Sequence, residues 1–301
     1  MRAVTGRRQR RLMFAPCGSR KASFVKTGNG KVKTKRRKKK SSNGWGKALL
    51  FIILLAVTYF YAKEEGVFTP SMPTDELIVP QFTKATESQI IEHIGYIVSY
   101  NQKRRNPNWV AYELTAEEVL GDEERSDDFI PDPEVRGRQA TDEDYKKSGW
   151  DRGHLAPAAD MKWSKQAMTE SFYLSNISPQ NNNLNRGVWK SIEELTRENA
   201  TRYGKVLVVT GPVFTTGKGL GSIGHNKVAI PNSFFKVLLI ENGGYRGIGF
   251  YCKNVAGRKR LSSYAMSIDS IEEITGIDFF PTLPDDIENS VEKEFDWNVW
   301  K

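Results

Sequence analysis

The stretch from Trp45 to Ala62 divides this chain before any other feature does. Residues 48–62, Ala-Leu-Leu-Phe-Ile-Ile-Leu-Leu-Ala-Val-Thr-Tyr-Phe-Tyr-Ala, carry no charge, and Trp45, Tyr59 and Tyr61 stand where aromatic rings meet a membrane interface. A helix needs about 20 apolar residues to cross a hydrocarbon core of ~30 Å, so the run is slightly short and spans with Lys47 and Lys63 snorkelling. Ahead of it, residues 1–47 hold 17 of the 45 Lys+Arg and none of the 36 Asp+Glu. The rest carries 28 basic against 36 acidic residues, a net of −8, so the formal charge of +9 belongs to a tail and argues nothing about the folded part. Residues 1–44, with the run Lys33-Thr34-Lys35-Arg36-Arg37-Lys38-Lys39-Lys40, have too little apolar surface to offset their ordering entropy and read as a disordered basic segment. Positive charge ahead of an apolar span keeps that side in the cytoplasm. The chain therefore reads as single-pass, with a signal anchor at 45–62 and the remainder exported to a periplasm or the exterior. A cleaved signal peptide lacks a convincing small-x-small site before Lys63-Glu64-Glu65. An acid-free leader followed by an anchor in the mitochondrial inner membrane is the alternative placement.

Pro70, Pro73 and Pro80 mark 63–85 as a linker, leaving 86–301 as one globular domain with ample chain for a core. Cys17 and Cys252 would lie on opposite sides of the bilayer, so neither a disulfide framework nor a thiolate zinc site is available. Gly95–Tyr100 and Trp109–Leu114 are β-branched and aromatic runs separated by a polar loop, which predicts a hairpin. Further strands are expected at 206–210, 234–240 and 247–252, an acidic solvated loop at 115–128, and a short helix over 269–275 with Asp269 as N-cap and Gly276 as stop. Strands grouped apart from helices argue an α+β fold with a mainly antiparallel central sheet flanked by helices. Gly219-Leu220-Gly221-Ser222-Ile223-Gly224 satisfies a dinucleotide-binding pattern by letter. The chain then continues extended through His225–Pro231 instead of opening a helix, so it reads as a loop.

The chemistry is concentrated in two stretches. One is Ser148-Gly149-Trp150-Asp151-Arg152-Gly153-His154-Leu155-Ala156-Pro157. The other is Leu174-Ser175-Asn176-Ile177-Ser178-Pro179-Gln180, leading through Leu184-Asn185-Arg186-Gly187-Val188-Trp189 to Glu193 and Arg197. Asn185, Trp189, Glu193 and Arg197 are spaced by four, which on a regular helix places them on one broad face. Taken alone, that face is an ordinary amphipathic surface with a Glu193–Arg197 pair.

Together the two stretches resemble the DNA/RNA non-specific endonuclease family, the ββα-metal or His-Me finger nucleases. The likeness extends to Gly211–Phe214, Ile230–Val237 and Ile271–Phe280 and covers nearly all of the globular part. It implies a ββα-metal fold and hydrolysis of phosphodiester bonds in DNA and RNA with 5′-phosphate products. In such a site His154 is the general base that deprotonates the attacking water. Histidine suits this because its ordinary pKa near 6.5 leaves much of it neutral at physiological pH. Asn185 matches the family's metal-ligand position, for Mg²⁺ with Mn²⁺ as a substitute. Glu193 matches an acidic residue that orients metal-bound water, and Arg197 a basic residue that meets phosphate. Arg125 is the candidate for an upstream arginine that stabilises charge. Asp151, Arg152 and Gly153 would fix the strand and turn around His154, with Gly153 letting the backbone bend or approach the metal site, and Asn176 would support the metal loop. The partners implied are DNA and RNA, with a homodimer left open. A domain of net negative charge needs a local basic strip to hold a polyanion, for which Lys103-Arg104-Arg105, Lys162, Lys165, Arg186 and Lys190 are candidates. Two other readings stand beside this one. One is a catalytically silent nucleic-acid-binding module on a membrane stalk, the other a phosphodiesterase acting on a different substrate.

Overall fold

The runs at 95–114 fold as the expected hairpin, and the sheet grows outward from it. In the computed structural model, residues 77–215, 219–257 and 259–301 are described, so the basic segment, the apolar span and most of the linker lie outside the described residues. Among the described residues no helix is long and apolar enough to cross a membrane. The strands are, in chain order, β1 (Gln81–Phe82), β2 (Gln89–Glu92), β3 (Ile97–Asn101), β4 (Asn106–Thr115), β5 (Asp151–His154), β6 (Ile177–Gln180) and β7 (Lys205–Val213). They continue with β8 (Ser222–Ile223), β9 (Val228–Ala229), β10 (Ser233–Glu241), β11 (Tyr245–Lys253), β12 (Ala265–Met266) and β13 (Ile277–Asp278). Seven of them form one sheet in the order β12-β11-β10-β7-β4-β3-β2, with antiparallel pairing throughout.

Alternation along the central strands explains the layering, because successive side chains point to opposite faces. Val206 and Val208 of β7, with Phe234 and Leu238 of β10, pack against Ile192 and Leu195 of the helix Lys190–Tyr203. Leu207 and Val209, with Phe235 and Val237, pack against Ile268 and Ile271 of the helix Ile268–Thr275 and Val291 of the helix Asp285–Lys293. The sheet is thus a middle layer buried on both sides, with the candidate site on the first face.

Several local expectations need correction. The chain joins the folded body within the stretch read as linker, since Leu77 and Ile78 are buried in the second core and β1 pairs with β13. The acidic stretch from 115 opens with a one-turn helix, Ala116–Val119, because Thr115 and Glu118 form a reciprocal capping box. The helix expected over 269–275 begins one residue earlier, with Ser267 as N-cap accepting from the Ser270 amide, while Gly276 ends it in the left-handed region at φ 68°. The glycine-rich loop opens a two-residue hairpin, β8 with β9, and no helix follows it, so the dinucleotide pattern has no structural counterpart.

Candidate active site

Strands β5 and β6 pair antiparallel with Asp151 opposite Gln180 and His154 opposite Ile177, and the chain then runs into helical turns leading to Lys190–Tyr203. This is a ββα unit. Fully buried Asn176 ties its two halves together. Its side chain accepts from the Ala156 amide (2.9 Å) and donates to the carbonyls of Ala156 and Ser171 (both 2.8 Å), just past His154. Gly153 lets the two strands of the hairpin approach closely. A Cβ there would come within 2.3 Å of the Gln180 Oε1 and 2.6 Å of its Cβ across the strands. Gly153→Ala is therefore expected to force the hairpin apart at a stability cost of about 1–3 kcal/mol, read by urea denaturation. A variant as stable as the parent would show that the strands tolerate the contact.

His154, Asn185, Glu193, Arg197, Arg125 and Arg152 all line one cleft of about 410 Å³, joined by Arg186 and Lys190. The lining carries five basic side chains and one carboxylate. The local basic strip is present, although Lys103–Arg105, Lys162 and Lys165 are not part of it. Arg104 instead stacks on Phe214 at 4.5 Å. His154 is 9% exposed, wedged edge-on against Phe172 (centroids 4.9 Å apart) and near Phe129 (5.4 Å). Burial, with the Arg125 charge adding and Asp127 opposing, pushes its pKa down to about 3, so the imidazole is neutral across the physiological range. Its Nε2 is enclosed with no hydrogen-bond partner. Arg125 lies over the Phe172 ring at 4.8 Å and pairs with Asp127 at 2.5 Å, which fixes it beside the histidine. Arg152 pairs with Asp142 at 2.5 Å and stacks over Phe129.

Asn185, Trp189, Glu193 and Arg197 do not share a regular helical face. A π-helical turn spans Asn185–Trp189, with Gly187 outside helical geometry at φ −111° and ψ −113°. The wider turn carries Trp189 into the core against Phe234, while Asn185 stays at the cleft. Asp151 explains Asn185's orientation. Its carboxylate accepts from Asn185 Nδ2 (3.1 Å), Arg186 Nε (3.0 Å), Arg186 Nη2 (2.9 Å) and Asn182 Nδ2. Burial works to raise the Asp151 pKa, but these donors outweigh it and hold the group below the usual carboxylate range. With its NH₂ engaged, the Asn185 amide oxygen has no protein partner among the described residues.

Arg197 pairs with Asp160 at 2.7 Å, not with Glu193. Asp160 is fully buried and also accepts from the Tyr112 hydroxyl at 2.8 Å. Burial pushes its carboxyl up, opposed by Arg197, Lys236 and Tyr112, whereas burial works to lower Arg197 and Asp160, Glu193 and Tyr112 together outweigh it. Lys236 is buried beneath the cleft, with Nζ 3.3 Å from the Leu155 carbonyl and 5.1 Å from the Trp189 ring. Burial pushes the half-buried Glu193 carboxyl upward; Lys236 and Arg197 oppose this and Asp160 adds to it. Asp160 and Lys236 are absent from the sequence-based set. Lys236 had a signal: one charge inside the run Phe234–Ile240 cannot be buried without partners.

The donor set suits a hard cation. Such an ion prefers oxygen and keeps several waters, so one amide oxygen on an open cleft leaves room for water and phosphate oxygens. Asn185 offers that oxygen, and the cleft contains no thiolate.

A ββα unit with these residues on an arginine-lined cleft defines a class, and the sequence comparison agrees. The chain belongs to the DNA/RNA non-specific endonuclease family, whose model it matches over residues 73–286. Among its relatives, the mouse protein "Nuclease EXOG, mitochondrial" is 35% identical over 234 residues, covering 71% of this chain and 63% of the relative. The bovine "Endonuclease G, mitochondrial" is 38% identical over 210 residues, covering 65% of this chain and 70% of the relative. A chain in the crystal structure of the EndoG/EndoGI complex superposes with a TM-score of 0.64 at 28% identity, covering 73% of this chain and 96% of that one.

Proposed function

We propose that this chain is a metal-dependent endonuclease that hydrolyses phosphodiester bonds of both DNA and RNA with little base preference, leaving 5′-phosphate ends. The observation that carries this reading is a neutral His154 lining the same arginine-rich cleft as the Asn185 amide oxygen. His154 takes the proton from a water attacking phosphorus in line. The new P–O bond forms as the bond to the 3′-oxygen breaks. Arg125 and Arg197 hold the phosphate, and Glu193, lining the same cleft, orients water by hydrogen bonding. Bound at Asn185, Mg²⁺, or Mn²⁺ in its place, supplies Lewis-acid stabilisation of the charge on phosphate and on the departing oxygen. Indifference to sequence follows from the lining. Phosphate contacts position a strand without reading it, and among the described residues no Trp, Tyr or Phe lines the cleft to offer a stacking platform. The mitochondrial relatives favour the mitochondrial placement over export. Residues 1–44 would then act as leader and 45–62 as inner-membrane anchor.

The purified chain should degrade supercoiled plasmid and RNA with Mg²⁺ and be silenced by EDTA. Asn185→Ala should need at least about tenfold more Mg²⁺ for half-maximal rate, as expected for the loss of one ligand. Binding without cleavage would instead support the silent module. Cleavage of small phosphodiesters that long polynucleotides fail to compete would move the substrate elsewhere.

A further inference from the structure

On the sheet face away from the cleft, three carboxylates converge where two helices meet. Asp269 and Glu272 sit three apart on the helix Ile268–Thr275, hence on one side of it, and Glu292 is the penultimate residue of the helix Asp285–Lys293. Each contributes an oxygen within 4.8 Å of the others. Glu292 is only 6% exposed, and its Oε1 is enclosed without a hydrogen-bond partner. Glu272 accepts a single bond, from the Phe279 amide at 2.7 Å. Among the described residues no basic side chain forms an ion pair with any of the three. Asp278 and Glu288 add further negative charge from nearby.

Glu292 also sits at a helix C-terminus, the end whose dipole disfavours an anion and favours a cation. Oxygens on one calcium ion lie about 2.3–2.6 Å from it, so two ligands of the same ion are at most about 5 Å apart. The trio meets that limit. Its oxygen-only, irregular donor set suits calcium, which accepts flexible geometry, over magnesium, which demands a near-ideal octahedron. We propose that Asp269, Glu272 and Glu292 form a calcium site that clamps the two outer helices together on the face of the sheet opposite the catalytic cleft.

The test titrates the full chain with CaCl₂, following heat and melting temperature, in the parent, Asn185→Ala, Asp269→Asn and Glu292→Gln. Calcium at a hundredfold over its dissociation constant should raise melting by about 5–10 °C in the parent and equally in Asn185→Ala. Asp269→Asn, on the exposed rim where folding is not at stake, should weaken binding at least about tenfold, the loss of one charged ligand. Glu292→Gln should abolish both heat and shift. The proposal fails if the parent shows no calcium response at millimolar concentration, or if Asp269→Asn responds like the parent. It also fails if the response disappears in Asn185→Ala, which would place the ion in the cleft. Because Asn185→Ala separates the two sites, failure here is distinguishable from failure of the nuclease reading.

Discussion

Replacing His154 with alanine is expected to slow phosphodiester cleavage by about 10²–10⁴-fold, the range typical of a positioned general base. Folding should largely survive. The imidazole is neutral, and its Nε2 forms no hydrogen bond whose loss would strand a partner, so the cost is a partly collapsible gap between Phe129 and Phe172. Circular dichroism of the variant checks this. The pH profile provides the sharper readout. An ordinary histidine base would impose an acid limb near 6.5 on kcat/KM, whereas one held at about 3 leaves the rate flat well below that. Linkage gives a matching stability effect. The folded-state value is depressed, so the histidine's contribution is intact above the unfolded value near 6.5 and is lost as pH falls toward 3. His154→Ala should therefore flatten part of the acid destabilisation seen in the parent. A variant retaining a third or more of parental activity would remove His154 from the chemistry.

Particular residues show how much was visible in the sequence. Five strands of the central sheet, β3, β4, β7, β10 and β11, were legible because β-branched and aromatic residues filled them and turn residues bounded them, whereas the short edge strands β2 and β12 were not. Both sides of each central strand are buried, so each reads as a solid apolar run. The ββα unit was legible through letters rather than periodicity, and His154, Asn185, Glu193, Arg197 and Arg125 do line one cleft, while Lys103–Arg105, Lys162 and Lys165 lie outside it. What the letters concealed was the geometry between them. A spacing of four implies one helical face only while the helix is regular, and the π turn at Asn185–Trp189 breaks that premise. An ordinary amphipathic helix would pair Glu193 with Arg197, and this one does not for a related reason. Neighbours on a helix compete with partners brought by tertiary structure, and buried Asp160 outbids Glu193 for the guanidinium. Asp160 itself carried no local mark, since an acid in Ala158-Ala159-Asp160-Met161 gives no sign that it will be enclosed.

That enclosed acid should govern stability more than any other single residue near the cleft. Asp160→Ala removes the fully buried carboxylate that faces Arg197 at 2.7 Å and accepts from Tyr112 at 2.8 Å. It leaves the fully buried Lys236 ammonium and the Arg197 guanidinium, among the described residues, with Glu193 to balance them. Breaking a buried pair by removing one partner typically costs about 3–5 kcal/mol, because the surviving charge is stranded. For a domain of this size that corresponds to a melting temperature lower by roughly 6–20 °C, measurable by calorimetry. Asp160→Asn separates the causes. It keeps the shape and an acceptor for Tyr112 but removes the charge, so it should recover part of the packing loss and none of the electrostatic loss. A double variant, Asp160→Asn with Lys236→Met, should then lie closer to the parent than Asp160→Asn alone, since the stranded ammonium is gone. If Asp160→Ala melts with the parent, the buried network is not what holds Arg197 at the cleft, and the guanidinium must be positioned by the helix alone.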